Sequence, residues 1–190
     1  ANQKGGVGKT TTLVNMAMSL AQRGVQVLVI DTDPQGNAST ALGIDHHVGN
    51  PSLYDVYTGH STLAEVAQPC PQQESLLVVP ATVDLAGVEM ELADQVDRSF
   101  YLREAVKSYL ADKSGCLVFI DCPPSLGLLT VNAFCAAHWV LIPVQAEYYA
   151  LEGISLLTDT VGKIRDALNP HLEVLAFLIT MFDKRTNLAA

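Results

Sequence analysis

The sequence of 190 residues predicts one α/β domain over residues 1–190, with a mostly parallel β-sheet and helices on both faces. Short β-branched apolar runs alternate with longer segments of helical periodicity, and crossovers of that length place successive strands parallel. Hydrophobic residues make up 49% of the chain and charged residues 16%, which excludes a disordered chain. No apolar run approaches the roughly 20 residues that span a bilayer, so we expect no membrane segment.

The elements are predicted in order along the chain. Residues 10–23 carry apolar side chains at helical spacing up to Gly24, and 25–31 form a buried parallel strand. Residues 34–52 are rich in Pro, Gly, Asn and Ser and predict a loop with room for one turn of helix. The same patterns predict further helices over 53–58, 63–67, 85–92, 99–111, 126–137 and 151–168, and further strands over 76–80, 116–121, 139–144 and 172–180.

Both ends of the sequence are expected to be incomplete. Only residues 1–2 could belong to the strand that should precede the first helix, and the sequence stops in the loop after 172–180. Trp139 begins an apolar strand and is expected in the core.

The charge and the cysteine content bear on nucleic-acid binding and on the cellular compartment of the protein. The formal net charge is −9, from 11 basic and 20 acidic residues, so the overall field does not attract nucleic acid and only a local basic patch could. Of the four cysteines, three lie in or beside apolar runs, and none forms a CxxC pair. We interpret them as buried, reduced thiols in a cytoplasmic protein.

The strongest chemical signal is the segment 4–11, K-G-G-V-G-K-T-T. Its glycines allow the backbone to bend around phosphates and direct N–H groups at them. Lys9 supplies a charge for the β- and γ-phosphates, Thr10 a hydroxyl for Mg²⁺, and the helix that begins at Thr10 an N-terminal dipole. A strict Walker A motif has glycine where this chain has Gln3, so the pattern departs at one position.

Three acidic residues follow two of the predicted strands. Asp31 ends the strand 25–31 and Asp33 comes two residues later, and Asp121 ends the strand 116–121. Because the carboxyl ends of parallel strands share one sheet edge, these side chains should gather where such sheets bind ligands. Asp121 stands where the acid that holds the hydration shell of Mg²⁺ is expected, and Asp33 is expected at the same phosphate-binding site. For Asp31, a site role and a simple turn-forming role remain equally open.

Segments 2–11, 31–38 and 121–127 resemble the deviant Walker A box, the second box and the Walker B and switch II region of the ParA/Soj partitioning ATPases, relatives of MinD. Glutamine at the position of Gln3 is common in that family. Segments 143–153 and 180–188 are also similar, and the match covers nearly the whole chain in the expected order. The resemblance implies a P-loop NTPase fold of the deviant Walker A type.

The resemblance also implies roles for individual residues. Lys4 would reach across a dimer interface to the phosphates of the partner's ATP, in the manner of an arginine finger. Asp33 would orient the attacking water. Thr10 would ligate Mg²⁺, with Asp121 behind a bound water. The implied nucleotide-binding residues are Lys4, Gly5, Gly6, Val7, Gly8, Lys9, Thr10 and Thr11.

Pro123, Pro124 and Gly127 would form a γ-phosphate sensor, in which stiff prolines stand beside a flexible glycine, although Pro-Pro also serves as a plain strand terminator. Residues 147–149 could contact the nucleotide or only the dimer face. Residues 184–185 could contact a base or DNA, or lie in a solvated loop.

The implied function is a slow ATPase, stimulated by its partner and by DNA, that uses ATP and Mg²⁺. It would form an ATP-dependent homodimer and partition chromosomes or plasmids with a ParB-type centromere-binding protein. We expect it to be cytoplasmic and nucleoid-associated and not to bind membranes. In this family non-specific DNA binding is attributed to basic residues further along the chain than residue 190.

Three alternatives stay open. A MinD-like ATPase that cycles on membranes would need a C-terminal amphipathic helix. A small-molecule kinase with the same loop would need a substrate pocket, and no motif in the sequence indicates one. An electron-transfer ATPase of the nitrogenase iron-protein type would need cysteines that hold a cluster between subunits, and Cys122 is expected to point away from such a position.

Overall fold

Two β-sheets form the centre of the structure, a computed structural model that describes residues 1–2, 4–145 and 150–182. In the larger sheet the strand order is β2-β3-β1-β4, with β1 parallel to β3 and β4 and with β2 antiparallel to β3. The smaller sheet contains the parallel pair β5 and β6. The strands are β1 (Val27–Asp31), β2 (Gln68–Cys70), β3 (Gln73–Val79), β4 (Leu117–Asp121), β5 (Trp139–Gln145) and β6 (Glu173–Thr180).

Helices cover both faces of the larger sheet, as predicted. On one face Val27 and Val29 of β1 pack with the first two helices, and on the other Leu28 and Ile30 pack with helices that follow in the chain. This alternation is the period-2 pattern of a strand buried on both sides. The helices are α1 (Lys9–Ala21), α2 (Asn37–Ala41), α3 (Leu53–Tyr57), α4 (Leu63–Val66), α5 (Val88–Glu91), α6 (Tyr101–Leu110), α7 (Leu128–Ala136) and α8 (Ala150–Ala167), with a 3₁₀ turn over Val83–Gly87.

The predicted order of elements is confirmed, and two local details differ. The short strand β2 forms an antiparallel pair with β3. The sequence did not predict it, because Pro69 and Pro71 argue against a strand. The helix predicted over 85–92 is divided into the 3₁₀ turn and α5.

The expectation that Trp139 belongs to the core is wrong, since its side chain is 61% exposed. Successive residues of a strand point to opposite faces. Val140, Ile142 and Val144 pack in a core cluster with residues of α7 and α8. Trp139 stands on the other face of β5.

The first two residues lie along β5 of the smaller sheet. The Ala1 amino group donates to the carbonyl of Leu141 (2.8 Å), and the Asn2 side-chain amide donates to the carbonyl of Pro143 (2.7 Å). A cavity of about 580 Å³, lined mainly by apolar residues of α1, β4 and β5, lies beside them. These contacts hold residues 1–2 against β5.

The cysteines follow the prediction. Cys70, Cys122 and Cys135 are buried and Cys116 is half-buried, and all four are free thiols. Burial raises the pKa of Cys122 and of Cys135 to about 11, so both are protonated at neutral pH. Within the part of the chain that the structure describes, no helix is long and apolar enough to cross a membrane.

Candidate functional site

Residues 4–8 form a loop that leads directly into α1. Gly6 (φ 73°) and Gly8 (φ 84°) both have left-handed backbone conformations, which residues with a side chain rarely adopt. Gly8 is the N-cap of α1, and no side chain caps that helix. The N–H groups of its first turn are therefore available to an anion, as the sequence predicts for a phosphate loop.

The base of this loop is fixed by the last strand of the structure. The hydroxyl of Thr180 donates to the carbonyl of Val7 (2.8 Å) and to that of Val144 (3.3 Å). Val7 is 1% exposed, so the loop is anchored at its centre, while Gly5 and Gly6 are exposed and Gly8 is half-buried beside Thr180. Sequence reasoning missed this contact because nothing local to Thr180 indicates it, and 173 residues separate the two partners.

Two lysines meet at the loop. The Lys9 ammonium group donates to the backbone carbonyl of Lys4 at 3.2 Å and so spans the loop from within. The N–H of Lys4 donates to the side-chain oxygen of Asn2 at 3.0 Å, which fixes the backbone where the loop begins.

The acidic edge of the sheet lies against the start of α1. The hydroxyl of Thr10 donates to a carboxylate oxygen of Asp121 (2.6 Å), and the carbonyl of Asp121 accepts both the N–H (2.9 Å) and the hydroxyl (2.6 Å) of Thr32. Asp31 is the register partner of Asp121 across β1 and β4. The structure thus brings Asp31, Asp33 and Asp121 to one edge, where they are 0%, 8% and 3% exposed.

Burial dominates the electrostatics of this edge. Desolvation raises the pKa of Asp121, and the charge of Asp33 adds to this, whereas the Thr10 hydroxyl and Lys9 act in the opposite direction. Desolvation likewise raises the pKa of Asp31 to about 6, against three hydrogen bonds from Ser39 and Asp33. Carboxylates held in this way favour a nearby cation.

The connection from β4 to α7 contains the three residues predicted to sense the γ-phosphate. Pro123 is buried and Pro124 is exposed. Gly127 has an extended backbone (φ −80°, ψ −169°) that any residue can adopt. A Cβ at this position would collide with the carboxylate of Glu89, which accepts the N–H of Leu128 at 2.7 Å. The structure therefore gives a steric reason for this glycine, and the predicted sensor role stays a prediction.

We expect Gly127→Ala to lower the free energy of unfolding by about 1 kcal/mol, because the methyl group displaces Glu89 and breaks its hydrogen bond to Leu128. In a Glu89→Ala background the same change should cost nothing, since the space is then empty. Urea unfolding of the four proteins measures both values. An equal cost in the two backgrounds would contradict the steric explanation.

Three of the predicted features lie outside the described residues: Gln3, the segment 147–149 and the segment 184–185. The remaining predicted site residues are described, and the structure brings the loop 4–11 together with the three acids.

This fold and this site define the class of the protein. A glycine-rich loop between the sheet and a helix N-terminus, a lysine within it, and a threonine bonded to a buried strand-end aspartate are the marks of a P-loop nucleoside triphosphatase.

Comparison with known proteins identifies the family. The family described as AAA domain matches residues 1–174. The chromosome partitioning protein ParA of Caulobacter vibrioides is 47% identical over 189 residues, 100% of this chain and 70% of that protein. The sporulation initiation inhibitor protein Soj of Bacillus subtilis is 46% identical over 187 residues, 98% of this chain and 73% of that protein. The chain therefore belongs to the ParA/Soj family of partitioning ATPases.

Two solved structures are similar over the whole chain. The crystal structure of cobyrinic acid a,c-diamide synthase from Mycobacterium smegmatis with bound ADP and magnesium has a TM-score of 0.91 and 37% identity, and the match covers 100% of this chain and 76% of that one. A plasmid partition protein from Borrelia burgdorferi has a TM-score of 0.82 and 27% identity, with 100% and 79% covered.

Proposed function

We propose that this protein is an ATP-dependent dimerisation switch for partitioning DNA, in which the loop 4–11 binds Mg-ATP and hydrolysis resets the switch. The observation that carries the proposal is the 2.6 Å hydrogen bond between Thr10 and Asp121, directly below a glycine loop spanned by Lys9. A buried carboxylate and a hydroxyl held together at a helix N-terminus can hold a magnesium ion and its bound water beside the phosphates of a nucleoside triphosphate.

The fit of ATP rests on the backbone and on Lys9. The left-handed Gly6 and Gly8 turn the chain so that N–H groups of the loop and of α1 converge on the phosphates. Lys9 would exchange its bond to the Lys4 carbonyl for the β- and γ-phosphates. The 37% identical M. smegmatis protein, which carries ADP and magnesium in its crystal structure, supports the same ligands here.

The fit of magnesium rests on the kind of donor present. Thr10 and Asp121 supply one hydroxyl and one carboxylate. The described residues contain no group of three His, Cys, Asp or Glu side chains that could hold a metal on their own. Mg²⁺ suits this poor donor set, because it keeps several waters and shares phosphate oxygens. Thr10 would ligate the ion and Asp121 would hold one of its waters; when bound, the ion neutralises charge on the phosphates.

The proposed role of Asp33 is to orient the water that attacks the γ-phosphate. Asp33 lies at the same sheet edge as Asp121, is 8% exposed and accepts the N–H of Gln35 at 3.0 Å. A carboxylate fixed by a hydrogen bond from its own turn can hold a water molecule in one orientation. Positioning of this kind is a main part of the catalysis of phosphoryl transfer.

Lys4 is proposed to complete the site of the partner subunit. We expect Lys4→Ala to lower the fraction of dimer formed with Mg-ATP, because one cation facing the partner's phosphates is lost. Light scattering on protein eluting from a size-exclusion column measures this, with a catalytically slow Asp33→Ala background to preserve the nucleotide. Lys107→Ala, which removes an exposed lysine on α6, is the matched control. Dimerisation by Lys4→Ala at the level of that control would refute the contact.

Pro123, Pro124 and Gly127 are proposed to report the γ-phosphate to α7. They connect Asp121 with the first turn of α7, and Glu89 holds that turn through Leu128. A change at the phosphate end of this connection would therefore reach α7 through only six residues, two of them prolines.

The proposed cargo and partner follow the family relationship. Relatives named for chromosome partitioning are 47% identical, ten percentage points above the M. smegmatis synthase. We propose a ParB-type partner, a homodimer and association with the nucleoid, with DNA bound by parts of the protein outside this sequence. The net charge of −9 for this stretch agrees with DNA contact elsewhere.

The deciding experiment is Mg-ATP turnover by the full-length protein with and without non-specific double-stranded DNA. Stimulation by DNA supports the partitioning switch. Stimulation by anionic lipid vesicles and not by DNA would favour the MinD-like alternative, and turnover that requires a small-molecule acceptor would favour the kinase. The iron-protein alternative needs a thiol at the subunit surface, whereas Cys122 is 7% exposed.

A further inference from the structure

Asp31 is a wholly buried carboxylate for which the sequence left the role open. One oxygen accepts the N–H of Asp33 at 3.1 Å. The other accepts the N–H of Ser39 at 2.9 Å and its hydroxyl at 2.8 Å. Asp31 therefore holds both ends of the segment from Asp33 to Ser39, which contains the start of α2.

This hydrogen-bond network extends to a second strand. Ser39 is also 0% exposed, and its hydroxyl oxygen accepts the N–H of Ala81 (3.2 Å), just beyond the end of β3. The chain of contacts from Asp31 through Ser39 to Ala81 thus ties together the ends of β1 and β3, neighbours in the sheet, and the helix between them. All three groups are inside the protein.

A direct role of Asp31 at the nucleotide does not fit these contacts. With 0% of its surface exposed and both oxygens engaged, Asp31 has no face that a phosphate or a bound water could reach. Burying a carboxylate is also costly, as the raised pKa of this group indicates. The carboxylate must therefore do something that an apolar side chain in the core could not do.

We propose that Asp31 is the positioning residue for Asp33: its hydrogen bond to the Asp33 N–H, braced by Ser39, fixes the direction in which the Asp33 carboxylate faces. The assignment rests on the proposed role of Asp33 in orienting water. A reacting group must be held within roughly 0.5 Å of its productive position, and such precision comes from buried hydrogen bonds behind it. The bond to the backbone of Asp33 acts at the point from which that side chain projects.

The test compares binding with turnover in Asp31→Asn, which keeps the shape but replaces one acceptor oxygen with an amide that cannot accept both sets of donors. We expect the Kd for Mg-ATP to stay within about two-fold of wild type and kcat to fall about ten-fold or more. Ser39→Ala removes the hydroxyl that braces Asp31 and accepts the N–H of Ala81, but it leaves the bond from the Ser39 N–H to Asp31 in place, and we expect kcat to fall about three-fold. This second variant keeps the test available if Asp31→Asn does not fold.

Asp55→Asn is the matched control, because Asp55 is also a carboxylate that accepts a backbone N–H, that of Ser52 at 2.8 Å, at the start of α3. It should lose stability in urea unfolding without any change of kcat. Unchanged kcat in a folded Asp31→Asn protein overturns the proposal, and so does a joint loss of ATP affinity and turnover. Asp33→Ala separates the two proposals: if Asp33→Ala is inactive while Asp31→Asn is fully active, only the positioning role fails. If Asp33→Ala is itself fully active, the role of Asp33 fails.

Discussion

Lys9→Ala should weaken the binding of Mg-ATP by about 30-fold or more. The ammonium of Lys9 already lies inside the phosphate loop, 3.2 Å from the Lys4 carbonyl, so no other group needs to move for it to meet the β- and γ-phosphates. Losing a charged hydrogen-bond donor costs about 2–3 kcal/mol, which corresponds to an increase of about 30- to 150-fold in Kd. Removing the bridge to Lys4 also releases the loop, and this adds to the loss.

Isothermal titration calorimetry with Mg-ATP measures this loss directly. Lys107→Ala removes a lysine from the exposed face of α6 and should bind as the wild type does. A circular dichroism spectrum and a urea transition like those of the wild type establish that Lys9→Ala is folded. If that folded variant binds Mg-ATP with unchanged Kd, the proposed phosphate site is wrong.

Asp33→Ala should retain nucleotide binding and dimerisation while turnover stops. The Asp33 carboxylate accepts the N–H of Gln35, while Thr10 bonds to Asp121 and Val7 to Thr180, so removal of the carboxylate leaves these contacts of the phosphate loop in place. Loss of a group that orients and activates the attacking water lowers kcat by about 10²–10⁴-fold. The variant should therefore accumulate as an ATP-bound dimer.

Phosphate release at saturating Mg-ATP gives kcat, and calorimetry gives the Kd of the same protein. Asp94→Ala, which removes an exposed carboxylate from the segment after α5, is the control and should turn over normally. Wild-type phosphate release by Asp33→Ala would exclude the proposed role.

Much of the site could be predicted from the sequence because its signals are local. The glycines and lysines of the segment 4–11 are contiguous, and Gly6 and Gly8 indeed have backbone conformations that favour glycine. Asp31 and Asp121 each end an apolar run, and parallel pairing of those runs brings the two side chains into register. Alternating strands and helices were sufficient to predict that these strands are parallel and end at one edge, whereas their direct pairing is a finding of the structure.

Contacts between distant parts of the chain could not be predicted in this way. Glu89 occupies the space beside Gly127, so a glycine that looked like a flexible joint has a steric explanation. Trp139 is apolar and begins a strand, yet it faces away from the cluster that α7 and α8 form with β5. Neither fact has a signature within a few residues of the position concerned.

The sequence by itself determined the α/β class, the phosphate loop and the edge at which the acids gather, because periodicity, glycine content and strand ends are properties of short segments. Only the tertiary structure decided how that edge is held. Thr180 binds Val7 from 173 residues away, and Ser39, which is bonded to Asp31, accepts the N–H of Ala81 from 42 residues away. Such hydrogen bonds depend on which elements pack together, and packing is fixed by the fold as a whole and not by any one stretch of the chain.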